Sequence, residues 1–301
     1  MAIIFKLLNQ TKMKKTLHCL LAASAILFAS SCQKIDQPGM GNYPADANSP
    51  NGPLKFYVAF DGTSANPLMN AVDSIKATFP SDNPFTNAAG INGSGATGVS
   101  EKYIKYPSFN AWAASSSFTI SVWFKQDGQT KNNTGGNGPQ YIMSLKASDG
   151  YHWSNAVGFL FLEGNNTACA VKSMFVSPSD PANPNSSPSD AWFTWEGGQM
   201  IAGLCDDQWH HMALTYDESN SSVKLFIDGV QNPNVKSWGG HGALRLSTTK
   251  ITEYRVGAGP SNGFASDDWL ACSFKGGLDQ LRMYSTVLTD AEIQALFATK
   301  K

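Results

Sequence analysis

The chain has 301 residues, 15% of them charged and 42% hydrophobic, and its formal net charge is −1. That balance gives no support to nucleic-acid binding, which needs a basic face. With 27 Gly and 8 Trp, the composition suits a secreted β-protein better than a helical cytosolic enzyme.

Residues 13–32 read MKKTLHCLLAASAILFASSC. Lys14 and Lys15 form a basic start, and Leu20 to Phe28 an apolar run too short for a comfortable membrane span. The small residues Ala29, Ser30 and Ser31 precede Cys32. This places a leader over 1–32, with Met13 as the start of the precursor. Residues 33–53, rich in Pro, Gly, Asn and Asp and without apolar periodicity, read as a flexible tether. About 250 residues then remain, enough for one large all-β domain over 54–301.

KFYVAF at 55–60 opens that domain as a short strand and runs into Asp61-Gly62. Residues 63–100 read mostly as loop, and 102–106 as a short strand. FTISVWFK at 118–125 is the clearest strand, with Phe118, Ile120, Val122 and Phe124 on one face and Thr119, Ser121, Trp123 and Lys125 on the other. Further strands follow over 141–145, 157–163 and 169–176. Residues 177–191 carry four prolines and read as a loop, with Trp192, Phe193 and Trp195 directly after.

Residues 208–230 form a hairpin. Met212, Leu214 and Tyr216 alternate in its first strand and Val223, Leu225 and Ile227 in its second, around the polar turn 217–221. Asp228-Gly229 supplies the positive-φ residues of the next tight turn. A strand near 253–256 and a closing strand within 274–284 complete the pattern. Thr289-Asp290-Ala291-Glu292 is a capping box for one short helix. Ile293, Leu296 and Phe297 share a face of it, which is expected to pack across the end of a sandwich. Many short strands with one terminal helix and no βαβ alternation indicate an all-β jelly-roll sandwich of two antiparallel sheets.

Cys169, Cys205 and Cys272 remain in the domain, allowing at most one disulfide and fitting no zinc spacing. His210 and His211 are adjacent in a strand, so they point to opposite faces and do not share a metal. The pairs Asp206-Asp207 and Asp267-Asp268 sit in loops and read as solvated acids. Asp279 stands at the head of the apolar row it forms with Leu281 and Met283, where an acid is costly unless neutralised or hydrogen-bonded. Calcium is one remedy.

Trp153, Trp192, Trp195, Trp238 and Trp269 fall in or beside loops. Sugar rings stack their C–H faces on indole while polar side chains take the hydroxyls. These five are therefore the candidate glycan-binding residues. At least two are expected to be exposed, with Trp192 and Trp195 the first choice.

Residues 13–32 resemble a bacterial lipoprotein signal, which implies lipidation at Cys32. Gln33-Lys34-Ile35-Asp36 is similar to the signal that routes Bacteroidetes lipoproteins to the outer face of the outer membrane. Four segments of the domain resemble the laminin-G-like, concanavalin A-like jelly rolls. They are Phe60-Asp61-Gly62, FTISVWF at 118–124, WHHMALTY at 209–216 with LFIDG behind it, and 274–297 with its closing FKGGLDQLRMY. The resemblance implies a structural Ca²⁺ held by Asp61 and Asp279 with main-chain carbonyls. It also implies a surface-anchored, carbohydrate-binding lipoprotein that touches the membrane only through its lipid and works beside outer-membrane glycan-uptake proteins.

The same fold carries glucanases with Glu-x-Asp-x-Glu on one strand. No domain glutamate has Asp at i+2, and no HExxH helix occurs. The reading is a non-catalytic binder. The alternatives are a glycoside hydrolase or lyase whose carboxylates come from distant strands, and a protein-binding adhesion module.

Overall fold

The computed structural model describes residues 52–61, 68–72, 77, 84–126, 138–180, 182–183, 186–264 and 268–300. The leader, Cys32, the tether up to residue 51, Gly62 and Asp267 lie outside them. Gly52 and Pro53, read as the end of the tether, already lie against the domain, with the Pro53 carbonyl accepting from Ser285 N at 2.8 Å.

In chain order the strands are β1 (Leu54–Val58), β2 (Thr86–Ala89), β3 (Ser94–Gly98), β4 (Ile104–Tyr106), β5 (Phe118–Lys125) and β6 (Pro139–Ala147). Then come β7 (Ala156–Gly164), β8 (Cys169–Pro178), β9 (Pro188–Trp195), β10 (Trp209–Asp217) and β11 (Ser222–Ile227). The last are β12 (Val230–Gln231), β13 (Lys236–Ser237), β14 (Ile251–Val256) and β15 (Gly276–Tyr284), followed by the helix α1 (Asp290–Thr299). They form two antiparallel sheets. The first runs β12-β11-β10-β5-β15-β3-β2, with β1 sharing the β3 edge of β15 and β13 joining β11. The second runs β4-β14-β6-β7-β8-β9.

Period-two alternation builds the core. Phe118, Ile120, Val122 and Phe124 of β5, with Met212, Leu214 and Tyr216 of β10, meet Leu160, Leu162, Val171 and Phe175 of the second sheet. Each such side chain contributes about 1.5–3 kcal/mol by leaving water. Asp228 (φ 50°) and Gly229 (φ 77°) turn β11 into β12 as the sequence indicates.

Two strands fall where the sequence reads as loop. β2 and β3 are made of TNAA and SGATG, residues too small to show a hydrophobic alternation. β9 begins at Pro188, inside the expected 177–191 loop. It is an edge strand, where proline is tolerated and half the residues face water, so its pattern is weak.

α1 has its full capping box, Thr289 with Glu292. It does not cross the end of the sandwich. It covers the outer face of the first sheet, where Phe297 stacks on Trp123 (centroids 5.6 Å apart) and Ile293 is buried against Ala213 and Phe226.

The closing strand also departs from simple alternation. Asp279 pairs with Trp123 but Arg282 with Ser121, so β15 carries one extra residue there, a bulge centred on Gln280 at φ 48°. Leu278, Leu281 and Met283 face the core. Asp279 faces outward with Trp123, and is not in the row of Leu281 and Met283 as uninterrupted counting implies.

Candidate functional site

The outer face of the second sheet is aromatic. In-register pairing sets Phe159, Met174 and Trp192 in one row across β7, β8 and β9, with Val176 and Asp190 in the next row. Tyr141 and Phe161 continue the face, and Trp269 packs over it. Trp269 lies 6.0 Å from Trp192 and 6.3 Å from Trp153, centroid to centroid. Trp153 is 58% and Trp192 38% exposed. Both indole N–H groups donate to one acceptor, Asp190 Oδ2, at 3.3 Å.

His152 stands behind Trp153, with Nδ1 against Ser154 Oγ (2.7 Å) and Nε2 3.9 Å from Asp190. Burial lowers its pKa, with the Asp190 charge opposing. Asp268 holds the Trp269 turn in place, accepting from Leu270 N at 2.8 Å and Ser261 Oγ at 2.6 Å. The result is an indole platform whose polar rim is already ordered.

Three of the five tryptophans nominated from sequence thus converge. The other two do not. Trp195 is fully buried, its indole donating to the Asn234 carbonyl at 2.8 Å. It is three residues from Trp192 in one strand, which puts it on the core side, so it offers no surface to a ligand. Trp238 is half-buried in a separate cluster, stacked on His241 at 3.8 Å and edge-on to Phe193 and Tyr216. Asp190 and His152 escaped the sequence reading. Asp190 falls in the stretch read as loop, and only the β8–β9 register turns it toward the indoles.

A second cluster lies at the turn between β2 and β3. Asp61 Oδ1 accepts from Ser94 N at 2.6 Å and Asp279 Oδ2 from Ile91 N at 2.8 Å. The turn passes so close that a Cβ at Gly90 would sit 2.3 Å from Asp279 Oδ2. Asp279 is fully buried and its Oδ1 has no hydrogen-bond partner. Burial pushes its pKa up to about 7, against the pull of the Ile91 N–H and with added repulsion from Asp61. Burial also raises Asp61, and the Ser94 N–H opposes.

Each acid adjoins a non-glycine residue in the left-handed region, Phe60 at φ 55° and Gln280 at φ 48°. Such strain concentrates where a surrounding site imposes it. Among the described residues no third acidic, His or Cys side chain joins the pair. Any further oxygen would come from the main chain, a neutral side chain or water.

The histidines divide as their adjacency requires. His210 bridges Asp228 (2.8 Å) and Asp206 (3.1 Å), while His211 Nε2 meets Ser121 Oγ at 2.9 Å under α1. Cys169, Cys205 and Cys272 are buried and unbridged.

A model of the concanavalin A-like lectin/glucanase superfamily, of the laminin G type, matches residues 97–294. The chain belongs to this superfamily. No curated protein sequence matches it. Solved structures share the fold. The fourth domain of a GH43 extracellular arabinanase from Geobacillus stearothermophilus, solved with arabinotriose, aligns over 81% of this chain and 97% of its own, at 17% identity and TM-score 0.48. The binding domain of botulinum neurotoxin serotype G aligns over 82% of this chain and 51% of its own, at 10% identity and TM-score 0.53, so this chain spans about half of that one. A CBM40 of Ruminococcus gnavus IT-sialidase, bound to α2,3 sialyllactose, aligns over 67% of this chain and 96% of its own, at 16% identity and TM-score 0.44. At such identities the likeness is one of fold.

Proposed function

We propose that this laminin G-type domain binds carbohydrate without catalysis, on the aromatic face of its second sheet. The observation that carries this reading is the convergence of Trp153, Trp192 and Trp269 around Asp190. Two indoles keep exposed faces while their N–H groups are occupied, so what they offer is an apolar ring surface, the complement of a sugar's C–H face. Asp190, Thr194 and the Lys172 ammonium lie beside it for the hydroxyls. Lipidation at Cys32 and display on the outer membrane, beside glycan-uptake proteins, complete the proposal.

Binding is favoured over hydrolysis by the way the two glutamates beside the face are held. Glu163 and Glu196 both hold Lys172 Nζ, at 2.9 and 2.8 Å. A glycosidase acid needs a raised pKa, whereas the bond from Lys172 holds Glu196 below the usual range.

The Asp61–Asp279 pair is proposed to hold a structural Ca²⁺. An orphaned, buried carboxylate oxygen beside a second acid fits a hard cation that takes oxygen ligands. A bound ion would supply the charge that Asp279 lacks and fix the β2–β3 turn.

The test is a glycan array probed with the full chain, followed by calorimetry on each hit. Capture of a glycan that Trp153→Ala and Trp192→Ala each weaken at least tenfold, with no release of reducing sugar, supports the reading. Reducing-sugar release points to the hydrolase, and silence on every glycan with capture of a protein points to the adhesion module.

A further inference from the structure

The outer face of the first sheet carries a cavity of about 330 Å³ beyond the reach of α1, lined by residues of five strands and their ends. The register places Trp209, Lys125, Gly277 and Thr97 in one row across β10, β5, β15 and β3. Gly277 has no side chain to fill its place. A Cβ there would sit 2.6 Å from the far edge of the Trp209 indole, so the ring lies along the sheet and forms one wall of a dent. The volume falls at the small end of ligand sites, about 300–1,000 Å³.

Three polar groups face this dent. Lys275 is exposed, and among the described residues no carboxylate pairs with its ammonium. Among the described residues Lys125 pairs with Asp207 alone, 3.4 Å away and largely exposed, a weak pair in water. Gln126 is 1% exposed, and its Oε1 has no hydrogen-bond partner. Its orientation is fixed from behind. Gln140 Oε1 accepts from Lys275 N at 3.1 Å, so the amide nitrogen of Gln126 must face it, at 2.9 Å, and Oε1 is left without a donor in a residue that lines the cavity. A buried acceptor without a donor is costly and marks a place where a ligand group belongs.

We propose that this cavity is a second ligand site, separate from the aromatic face, for a sugar residue that bears a carboxylate. The Trp209 indole takes the ring's C–H face, Gln126 Oε1 accepts from a hydroxyl, and Lys275 with Lys125 takes the carboxylate. Asp207 opposes an anion, and among the described lining residues the two lysines outnumber it by one charge.

The test uses two acid probes with neutral counterparts, trigalacturonate with its methyl ester and 3′-sialyllactose with lactose. Calorimetry on the full chain is combined with the ¹⁵N indole resonances. The expected result is that at least one acid probe binds ten times or more tightly than its neutral counterpart and moves the Trp209 indole resonance. Lys275→Glu, a change at an exposed side chain, then weakens binding at least tenfold without altering the melting curve, and leaves any binding at the aromatic face intact. The two acids separate a uronate from an ulosonate ligand. The proposal is overturned if neither acid binds at millimolar concentration, if acid and ester bind alike, if Lys275→Glu has no effect, or if the resonances that move are those of Trp153 and Trp192. Loss of glycan binding at the aromatic face alone would leave this site standing.

Discussion

The two sheets carry aromatic residues on their outer faces, and the chain treats those faces in opposite ways. On the first sheet Trp123, His211 and Phe226 are capped by α1 and leave solvent. On the second sheet Trp153 and Trp192 remain in water, and the adjoining turn brings a third indole up to them. The difference lies in what the sequence supplies next. The covered face has a helix with Ile293 and Phe297 spaced to fit it, and His211 there lies within hydrogen-bond distance of Ser121. The open face has Asp190, which satisfies the indole nitrogens without hiding the rings. An exposed aromatic patch whose polar atoms are occupied is prepared for a partner with apolar faces of its own.

That contrast predicts that substitutions on the two faces differ in kind. The largest effect on stability is expected from Trp123→Ala, about 3–5 kcal/mol for removing a fully buried indole, measured by urea unfolding. Trp192→Ala should lower stability by only about 1 kcal/mol, as for a partly exposed side chain, yet weaken glycan binding at least tenfold, about 1.4 kcal/mol. If both substitutions unfolded the domain equally, the open face would be core and the contrast would fail.

The acid pair sharpens the comparison at the margin of the covered face. Asp279 has a folded pKa near 7 and an unfolded value of about 4. The folded state therefore holds the proton more tightly. Its stabilising contribution is complete below about pH 4 and is lost as the pH rises through 7. The Tm without calcium should fall from pH 5 to pH 8. Calcium competes with that proton, so its stabilising shift should be small at pH 5 and grow toward pH 8, measured by melting with calcium and then with chelator. Asp279→Asn should abolish the calcium shift and reduce the fall of Tm with pH to the smaller part that other groups contribute. A calcium shift that survives this substitution would place the ion elsewhere.

Smaller effects test the cover itself. Thr289→Ala removes the cap of α1 and should cost about 1 kcal/mol, read by thermal melting. The smallest concerns His210, whose pKa is raised by its bond to Asp228 and, against burial, by Asp206. The sign matches that of Asp279. The stabilisation is full below the unfolded value of about 6.5 and is lost as the pH rises through the raised folded one. His210→Gln should flatten the alkaline side of the stability curve by less than about 1 kcal/mol, as for a partly exposed pair.

Much of this was legible before the coordinates. FTISVWFK declares both its faces because all four inward residues are apolar, and the Thr289–Glu292 cap is local chemistry. β2 and β3 are illegible because alanine, glycine and serine carry no pattern, although Ile91 between them and Ser94 at the start of β3 anchor the acid pair. The tryptophans could be nominated but not sorted. Trp192 and Trp195 look equivalent in sequence, and only the strand between them sends one outward and one inward. Trp153 and Trp269 come together with Trp192 from different connections, a convergence no local signal encodes. The cost of its burial marks Asp279 in the sequence, but the bulge that sets its facing leaves no mark there.

That bulge has a consequence for how the strand is inherited. Without Gln280, β15 would read Leu278-Asp279-Leu281-Arg282-Met283, a regular alternation that pairs residue for residue with β5. Gln280 is thus a one-residue insertion that makes the strand less regular while it ties the strand to the chain's end, donating to the Lys300 carbonyl at 2.8 Å. A lineage that lost this codon would gain a straighter strand and shift the acid relative to the turn that grips it. Deletion here should be tolerated by the fold and change the calcium response proposed for the acid pair, which separates the history of the scaffold from the history of the site.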